Sequence, residues 1–270
     1  MMGKIYAEVA PKNVNVFVAK LKQNVASFTL PLAENIIYSS KSGVLVANVR
    51  QTAIRVVDIA CKPVQDKLGL LLQRIRKIEP LSQWDLVKSA FPIGDKMNEH
   101  THIFDGAVFS NKDGKMRYFI TALPINVADD IAETGVKLLG NPSRLKCLDT
   151  AENILFRYYM KQGMEALWIV FPQGEGLRIL FLTDGLPKAS WHVSNNTQFR
   201  EDEVLRCLQA SKEQIEVSLE DAESAGKIKE TALKRAVVLN IDWDLSWLRV
   251  LLAERGVEVE RGEYCLRDFI

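Results

Sequence analysis

The sequence predicts an α/β protein made of two halves of similar layout, each with a β-sheet that carries helices. One observation behind this prediction is a block between Met164 and Ser194, where apolar runs of about six residues alternate with Pro, Gly and Asp clusters. The other is a comparable set of strands at the N-terminal end, between Lys4 and Val49. Helical periodicity follows the strands in both halves, so the same order of elements occurs twice.

The first half begins with strands that alternate or run apolar and end at turn residues. They are Lys4–Ala10, Val14–Lys20, Val25–Leu32, Gly43–Val49 and Ala53–Ile59. After Pro63, apolar residues at helical spacing predict a helix that ends at Pro80. Two more strands flank the turn Asn111–Gly114, and a helix that ends near Gly140 follows them.

The second half follows a short strand at Leu145–Leu148 and a helix that Thr150 can cap. Ala166–Phe171 is apolar at every position, which predicts a strand buried on both faces. The remaining predicted elements are strands at Leu177–Leu182 and Lys188–Ser194, a helix at Phe199–Leu219, a last strand at Lys234–Asn240 and a helix at Trp243–Arg255.

Composition excludes several classes of protein. With 47% hydrophobic and 26% charged residues and a net charge of +1, nothing favours nucleic acid or an anionic membrane as a partner. We expect no membrane insertion, because no apolar run approaches the roughly 18 residues of a spanning helix. The four cysteines form no CxxC pair and are expected to be buried, reduced thiols of a cytoplasmic protein. His100 and His102 lie in a polar loop that favours a solvated connection over a metal site.

One passage identifies a likeness to a known family. Tyr118–Val127 followed by Leu138–Asp149 reads as a strand, a helix, a glycine, a strand and then Leu-Asp. This order resembles the type IV pilus assembly protein PilM and the cytoplasmic part of the type II secretion protein GspL, which share the actin-like, ribonuclease H-like fold. Ala53–Ile59 with the helix after Pro63 resembles the small inserted subdomain of PilM.

The resemblance implies a domain plan and a nearer relative within the family. Residues 1–150 would form the first lobe, with the inserted subdomain at about 51–100, and residues 151–270 would form the second lobe. GspL continues into a membrane helix and PilM does not, so we expect this chain to lie nearer PilM.

In this family two hairpin turns hold the phosphates of ATP, with an Asp in each that supports Mg²⁺. Such a site needs converging N–H donors, glycines that allow close approach, and carboxylates at metal-bridging distance. In the first turn, Glu8 stands where the Asp is expected, Ala10 replaces the glycine and Pro11 lacks an N–H donor. Lys12 could contact a phosphate, but a solvated turn lysine explains it as well.

The second and third turns also depart from the pattern. Gly174 and Gly176 keep the flexibility of the second turn, but Phe171 replaces the Asp and Glu175 would repel a phosphate. The third turn, Asn240–Asp244, has no glycine and reads as the Asp-capped start of a helix. We therefore interpret Glu8, Lys12, Gly174 and Gly176 as remnants of phosphate turns and expect no cofactor, with ATP and Mg²⁺ as the alternative. The turns Glu8–Lys12 and Pro172–Gly176 should face each other across one cleft.

No other catalytic pattern stands out. The sequence contains no GxSxG, HExxH, Walker A or GxGxxG motif. The acidic pairs Asp129-Asp130 and Asp242/Asp244 are interpreted as helix starts, where carboxylates are favoured. Trp168 and Trp191 lie in strands and are interpreted as core residues.

The resulting hypothesis is a non-catalytic cytoplasmic scaffold of a pilus or secretion assembly, held at the inner membrane through a partner. The resemblance implies that the partner is the cytoplasmic tail of a single-span inner-membrane protein, and self-association is possible. The candidate partner-binding residues are Ile54 and Val56 in a strand and Arg74 and Arg76 on the following helix, whose basic run is also explained as a solvated helix face. The alternatives are an active ATPase of the same fold and a sugar-kinase-like or hydrolytic enzyme on it.

Overall fold

The structure is a computed structural model. It describes residues 4–9, 13–20, 23–31, 42–60, 97–98, 100–112, 115–160, 166–183, 185–194, 198–224, 232–239 and 244–262. The chain divides into two compact units: a first unit, residues 1–51 with 127–270, and an inserted unit, residues 52–126.

The first unit contains two five-stranded sheets. The strands of sheet 1 are β1 (Lys4–Val9), β2 (Asn13–Lys20), β3 (Gln23–Pro31), β4 (Ser42–Ala47) and β8 (Leu145–Thr150). The strands of sheet 2 are β9 (Leu167–Gln173), β10 (Gly176–Thr183), β11 (Leu186–Ser194), β12 (Arg235–Leu239) and β13 (Glu258–Gly262). The helices are α1 (Ile125–Leu139), α2 (Ala151–Met160), α3 (Arg200–Ser224) and α4 (Ser246–Ala253).

The two sheets have the same topology. Sheet 1 has the order β3-β2-β1-β4-β8 and sheet 2 the order β11-β10-β9-β12-β13. In each, three antiparallel strands are followed by two that run parallel to the central strand. The predicted duplication of a sheet-plus-helix half is therefore confirmed.

The close contact between α1 and sheet 1 depends on two glycines. A Cβ atom built on Gly135 would lie 2.3 Å from Cδ1 of Leu45, and one built on Gly43 would lie 2.7 Å from Cδ1 of Leu139. Both leucines are fully buried, so each takes the space that a side chain would otherwise fill. The absence of these two side chains lets the helix lie directly on β4.

Strands β9 and β10 of sheet 2 are buried on both faces. Every residue of β10 is buried, and so is all of β9 except Pro172, as predicted for the apolar run. On one face the sheet packs against α3 and α4, where Trp168, Val204 and Leu248 join one core. Helix α2 contacts β8 of sheet 1 and β10 and β11 of sheet 2, so it lies between the two sheets. It starts as expected, with Thr150 Oγ1 accepting a hydrogen bond from the N–H of Asn153 at 3.3 Å.

The inserted unit contains a three-stranded antiparallel sheet. Its order is β5-β7-β6, with β5 at Ala53–Ala60, β6 at His102–Lys112 and β7 at Lys115–Pro124. The expected subdomain ended near residue 100, but the observed unit extends to Asn126 because the β6–β7 hairpin pairs with β5. The helix predicted between Pro63 and Pro80 lies outside the described residues.

Two sequence-based expectations are wrong in detail. Lys234–Asn240 is not the last strand, because β13 follows α4 and pairs in parallel with β12. Asp129 and Asp130 do not lie at a helix start, because α1 begins at Ile125 and carries no acidic residue in its first turn. Among the helices that the structure describes, none is long and apolar enough to cross a bilayer.

The α1–β4 contact generates a test. We expect Gly135→Ala to lower the free energy of unfolding by about 1 kcal/mol, since overpacking costs roughly 1–3 kcal/mol and better helix propensity returns about 1 kcal/mol. In a Leu45→Ala background the space is open, so the same change should stabilise the protein. Urea denaturation of the four proteins measures the coupling, and equal effects of Gly135→Ala in both backgrounds would contradict the close contact.

Candidate functional site

The two sheets of the first unit are joined by the segment that follows β4. The side chain of Asn48 donates one hydrogen bond to Oε1 of Glu8 at 3.0 Å and another to the carbonyl oxygen of Pro172 at 3.1 Å. Its backbone N–H donates to the carbonyl oxygen of Val9 at 2.9 Å. Asn48 and Glu8 are 7% and 6% exposed. One amide group thus uses both of its N–H donors to link the start of sheet 1 to the hairpin of sheet 2.

Arg178 makes a second connection between the sheets. It lies in β10 and is 5% exposed, and one of its terminal N–H groups reaches the carbonyl oxygen of Arg50 at 3.3 Å. Its Nε donates to Oε1 of Gln173 at 2.7 Å, and its other terminal nitrogen lies 3.4 Å from Oγ of Ser190. The guanidinium therefore ties residues 48–50 to both strands of the β9–β10 hairpin and to β11.

The charge of Arg178 is balanced by a buried carboxylate on α2. Glu152 has no exposed surface, and its Oε1 lies 3.2 Å from Nε of Arg178 and accepts a hydrogen bond from Nε2 of Gln173 at 2.8 Å. Burial raises the pKa of Glu152, and the charge of Arg178 opposes that shift. Burial likewise lowers the pKa of Arg178. Glu152, Gln173 and Arg178 form a buried polar cluster, which we call the junction cluster.

The turn between β9 and β10 is a tight two-residue hairpin. Gly174 has φ 62°, the left-handed conformation that such a turn favours, and it is exposed at the tip. A Cβ atom on Gly176 would lie 2.4 Å from the carbonyl oxygen of Val193, so this position needs a glycine for close approach of the neighbouring strand. The ring of His192 contacts the carbonyl oxygen of Gln173 at 3.3 Å, and burial lowers its pKa. Both glycines thus have structural roles.

The structure places the predicted phosphate-turn residues as follows. Glu8 and Pro172 lie on either side of Asn48, whereas residues 10–12 of the first turn, with Lys12, lie outside the described residues, so the predicted cleft between the two turns stays a prediction. Gly174 and Gly176 lie in the hairpin. Among the described residues of these turns, the Asn48 amide donates to protein atoms and Phe171 is fully buried, so neither offers a free donor to a phosphate. Among the buried side-chain oxygens without a hydrogen-bond partner, two lie at this junction, Oδ1 of Asn48 and Oε2 of Glu152, and as acceptors they offer no donor to a phosphate.

The third predicted turn precedes α4. The exposed carboxylate of Asp244 accepts a hydrogen bond from the N–H of Ser246 at 2.9 Å, and this bond lowers the pKa of Asp244. Asp244 therefore lies close to the helix start, but the expected Asp cap is wrong in detail, because the N-cap of α4 is Leu245, which makes no side-chain capping hydrogen bond. Residues 240–243 lie outside the described part of the chain.

The predicted partner-binding residues divide into two groups. Ile54 is buried and Val56 is half-buried in β5, whereas Arg74 and Arg76 lie outside the described residues. Because Ile54 is buried, it can support a partner-binding surface from beneath but cannot contact the partner in this conformation. The predicted groove around these residues stays a prediction.

The remaining candidates have ordinary explanations. Trp168 is fully buried, with its indole N–H donating to Oγ of Ser211 at 3.0 Å, and the half-buried Trp191 packs against the same core. Burial raises the pKa of the Cys207 thiol to about 12, whereas Cys147 is exposed, contrary to expectation. In the described part of the chain, no group of three or more His, Cys, Asp and Glu side chains could hold a metal ion.

The structure brings together residues that the sequence analysis did not single out. Asn48, Glu152 and Arg178 come from a strand end, a helix and a strand that are far apart in the chain. A signal was present for Arg178, since a lone charged residue inside the apolar run Leu177–Leu182 predicts a buried partner.

The comparisons with known proteins agree with this architecture. No family model and no curated protein matches the sequence. Among solved structures, a PilM-PilN type IV pilus biogenesis complex matches with a TM-score of 0.54 and 13% identity over 96% of this chain and 88% of that chain. The cytoplasmic domain of EpsL from Vibrio cholerae, an inner membrane component of the type II secretion system, matches with a TM-score of 0.52 and 12% identity over 98% and 91% of the two chains.

A third structure names the fold. A Bacteroides thetaiotaomicron protein with an actin-like ATPase fold and unknown function matches with a TM-score of 0.50 and 8% identity over 97% of this chain and 91% of that chain. At these identities the likeness concerns the fold alone. The chain has the two-lobed actin-like fold, and the resemblance to PilM and GspL is confirmed at that level.

The junction cluster generates the second test. We expect Arg178→Met to lower the free energy of unfolding by about 3–5 kcal/mol, because it leaves the Glu152 carboxylate buried without its cation. The double variant Glu152→Gln/Arg178→Met should lose less than the sum of the two single changes. Urea denaturation measures each value, and additive losses would contradict the coupling.

The loss of stability in Arg178→Met should depend on pH in a defined direction. The pKa of the Glu152 carboxyl is higher in the folded protein than its ordinary value of 4.5, so folding favours the protonated form. Its contribution to stability is therefore fully present below pH 4.5 and is lost as the pH rises through the folded-state pKa. Without Arg178 that pKa rises further, so the deficit of Arg178→Met should grow from acidic to neutral pH. In Glu152→Gln/Arg178→Met the loss of stability should not increase from acidic to neutral pH. As a control, Arg157→Met removes the ion pair to Asp149, in which Arg157 is 52% exposed, and should cost less than about 1 kcal/mol.

Proposed function

We propose that this protein is a non-catalytic scaffold of a type IV pilus or type II secretion-like assembly. Two similar structures come from such systems: the PilM-PilN complex of type IV pilus biogenesis and the cytoplasmic domain of EpsL of type II secretion. The fold that they share with this chain supports a place in an assembly of that kind. In this proposal the protein is cytoplasmic and is held at the inner membrane by a partner.

The observation that carries the non-catalytic part is the Asn48 bridge. In an actin-like ATPase the two turns are separated by phosphates and a metal ion, whereas here Glu8 and Pro172 are linked through one side chain at 3.0 and 3.1 Å. The neighbouring carboxylate, Glu152, is committed to Arg178 and Gln173. Both features support a protein that keeps the fold without using ATP.

The proposed partner is the cytoplasmic tail of a single-span inner-membrane protein. PilM is named together with PilN in a complex, and EpsL is named an inner membrane component, which supports a partner at that membrane. We place the tail on the inserted unit, where Val56 is half-buried and Arg74 and Arg76 follow in the sequence. Extended tails bind through backbone hydrogen bonds and a few side-chain pockets, so many tail sequences would be tolerated.

The third test concerns the nucleotide. We expect millimolar ATP with Mg²⁺ to leave the melting temperature unchanged, because the junction offers acceptors where phosphates need donors. A ligand that binds only the folded protein at a hundred times its Kd would add about 2.7 kcal/mol, which a thermal melt detects readily. Mg²⁺ alone and Mg²⁺ with tripolyphosphate are the controls. A rise specific to ATP would favour the active ATPase instead.

The fourth test concerns the membrane partner. Wild-type protein should recover a single-span membrane protein from solubilised membranes of the source organism, and Arg74→Glu/Arg76→Glu should recover less of it if the tail is acidic. The matched control is Lys146→Glu/Lys212→Glu, which changes the net charge equally at exposed positions of the first unit. Recovery of no single-span protein, or equal recovery by all three proteins, would count against this surface.

A further inference from the structure

A shallow groove lies between the start of α3 and the length of α4. Its volume is about 330 Å³, and it is lined by Glu201, Ser246, Trp247, Val250, Leu251 and Glu254. Ser246, Val250 and Glu254 are spaced four residues apart, so the groove runs along one face of α4. Glu201 supplies the opposite wall from the first turn of α3.

The floor of this groove is apolar and accessible. Val250, which lines the groove, is 57% exposed, and Phe199, which precedes α3 and is not a lining residue, is 54% exposed. The guanidinium carbon of Arg200 lies 4.4 Å from the centre of the Trp247 ring, so a cation–π contact holds the indole in place between the two helices. Large exposed apolar side chains beside a fixed aromatic ring are typical of an interaction surface.

The charged residues that line the groove are acidic, and the cations beside it, Arg200 and Arg255, contact the Trp247 ring and Glu254, respectively. Both charged residues that line the groove, Glu201 and Glu254, are exposed, and one stands on each wall. Glu254 lies 3.3 Å from Arg255, but its side chain is 63% exposed and such a surface pair is weak. Two carboxylates above an apolar floor repel phosphates and fatty-acid head groups and attract cationic side chains. Nucleotides, nucleic acids and anionic lipids are therefore poor occupants.

We propose that this α3–α4 groove binds a short cationic amphipathic helix of a partner protein. The partner would place an apolar side chain on Val250 and Trp247 and a Lys or Arg near each glutamate. A helix that lies along α4 presents side chains at the same spacing of three and four residues, so its apolar and basic positions can match those of the groove. The groove is small, so we expect weak, salt-sensitive binding, as in transient contacts.

This surface belongs to the first unit, whereas the proposed tail-binding surface belongs to the inserted unit. A scaffold joins two proteins, so a second binding surface is consistent with the proposed function. The inference rests on the proposed function only in assuming that the partner belongs to the same assembly. The two surfaces fail independently, because Arg74→Glu/Arg76→Glu tests one and substitutions at Glu201 and Glu254 test the other.

The probe is a synthetic capped peptide of two leucine–lysine heptads, and calorimetry measures its binding to the full-length protein. We expect a Kd of roughly 10–100 μM at low salt and weaker binding at about 0.5 M salt. Glu201→Lys/Glu254→Lys should raise the Kd tenfold or more. Glu201→Gln/Glu254→Gln should raise it less and serves if the lysine variant fails to fold, because Glu201 stabilises the start of α3.

The matched control is Glu213→Lys/Glu258→Lys, which makes the same change in net charge at exposed positions away from the groove. It should leave the Kd within about twofold, because long-range attraction alone is screened by salt. Equal weakening by both double variants, no binding by the wild type, or equal binding of a peptide with glutamates in place of the lysines would overturn the proposal. If sedimentation shows that the wild type self-associates and Glu201→Gln/Glu254→Gln does not, the occupant is a second copy and the assignment to a partner is wrong.

Discussion

The relative position of the two sheets depends on the side chain of Asn48. Each sheet pairs its own strands, and among the described residues the two sheets are linked by side-chain hydrogen bonds to loop carbonyls and by helix α2, which contacts both. An amide is the group suited to this position, since it carries two N–H donors on one atom and both are in use, toward Glu8 and Pro172. An aspartate would present only acceptors to these oxygens, and a serine has one donor. Replacement of Asn48 by either residue would therefore remove at least one of its two hydrogen bonds, to Glu8 or to Pro172.

The junction cluster supports the same contact from the side of sheet 2. A buried ion pair is seldom a net source of stability, because desolvation of Glu152 and Arg178 offsets most of their attraction. The ion pair instead helps to position the two sheets, since Arg178 can donate to both Gln173 and the carbonyl oxygen of Arg50 only when the sheets keep this relative position. We interpret the junction cluster as fixing the relative position of the two sheets, which non-directional apolar packing does not specify.

The parts of the fold that local patterns specify could be predicted from the sequence. The hairpins of both sheets, the strand buried on both faces and the Thr150 cap all follow from residues within one element or its neighbour. Strand β13 was missed because it is a short edge strand with charged residues on its exposed side, and such a segment lacks a strong apolar alternation. The inserted unit was underestimated because the pairing of β5 with β7 joins residues about 60 positions apart, which no local pattern encodes.

The site was harder to predict than the fold for a related reason. The departures from the phosphate turns were visible at Phe171 and Pro11, but the Asn48 link between Glu8 and Pro172 was not. A single asparagine after a strand reads as a turn residue, and a lone Glu in an apolar helix reads as an exception, until the fold brings them together. Glu152 and Arg178 illustrate that a charged residue within an apolar segment predicts an oppositely charged partner elsewhere in the chain.

A junction closed by protein side chains has a consequence for the rest of the first unit. Proteins that bridge two lobes with a ligand change shape when the ligand leaves, whereas here the bridge is part of the chain. The walls of the α3–α4 groove are also fixed, because Val204 of α3 and Leu248 of α4 belong to the same core on sheet 2. Glu201 and Glu254 therefore keep their separation without a bound partner, and a partner helix would lose little free energy to ordering this surface. A fixed surface on a fixed pair of sheets suits a protein that holds others in place, which is the function we propose.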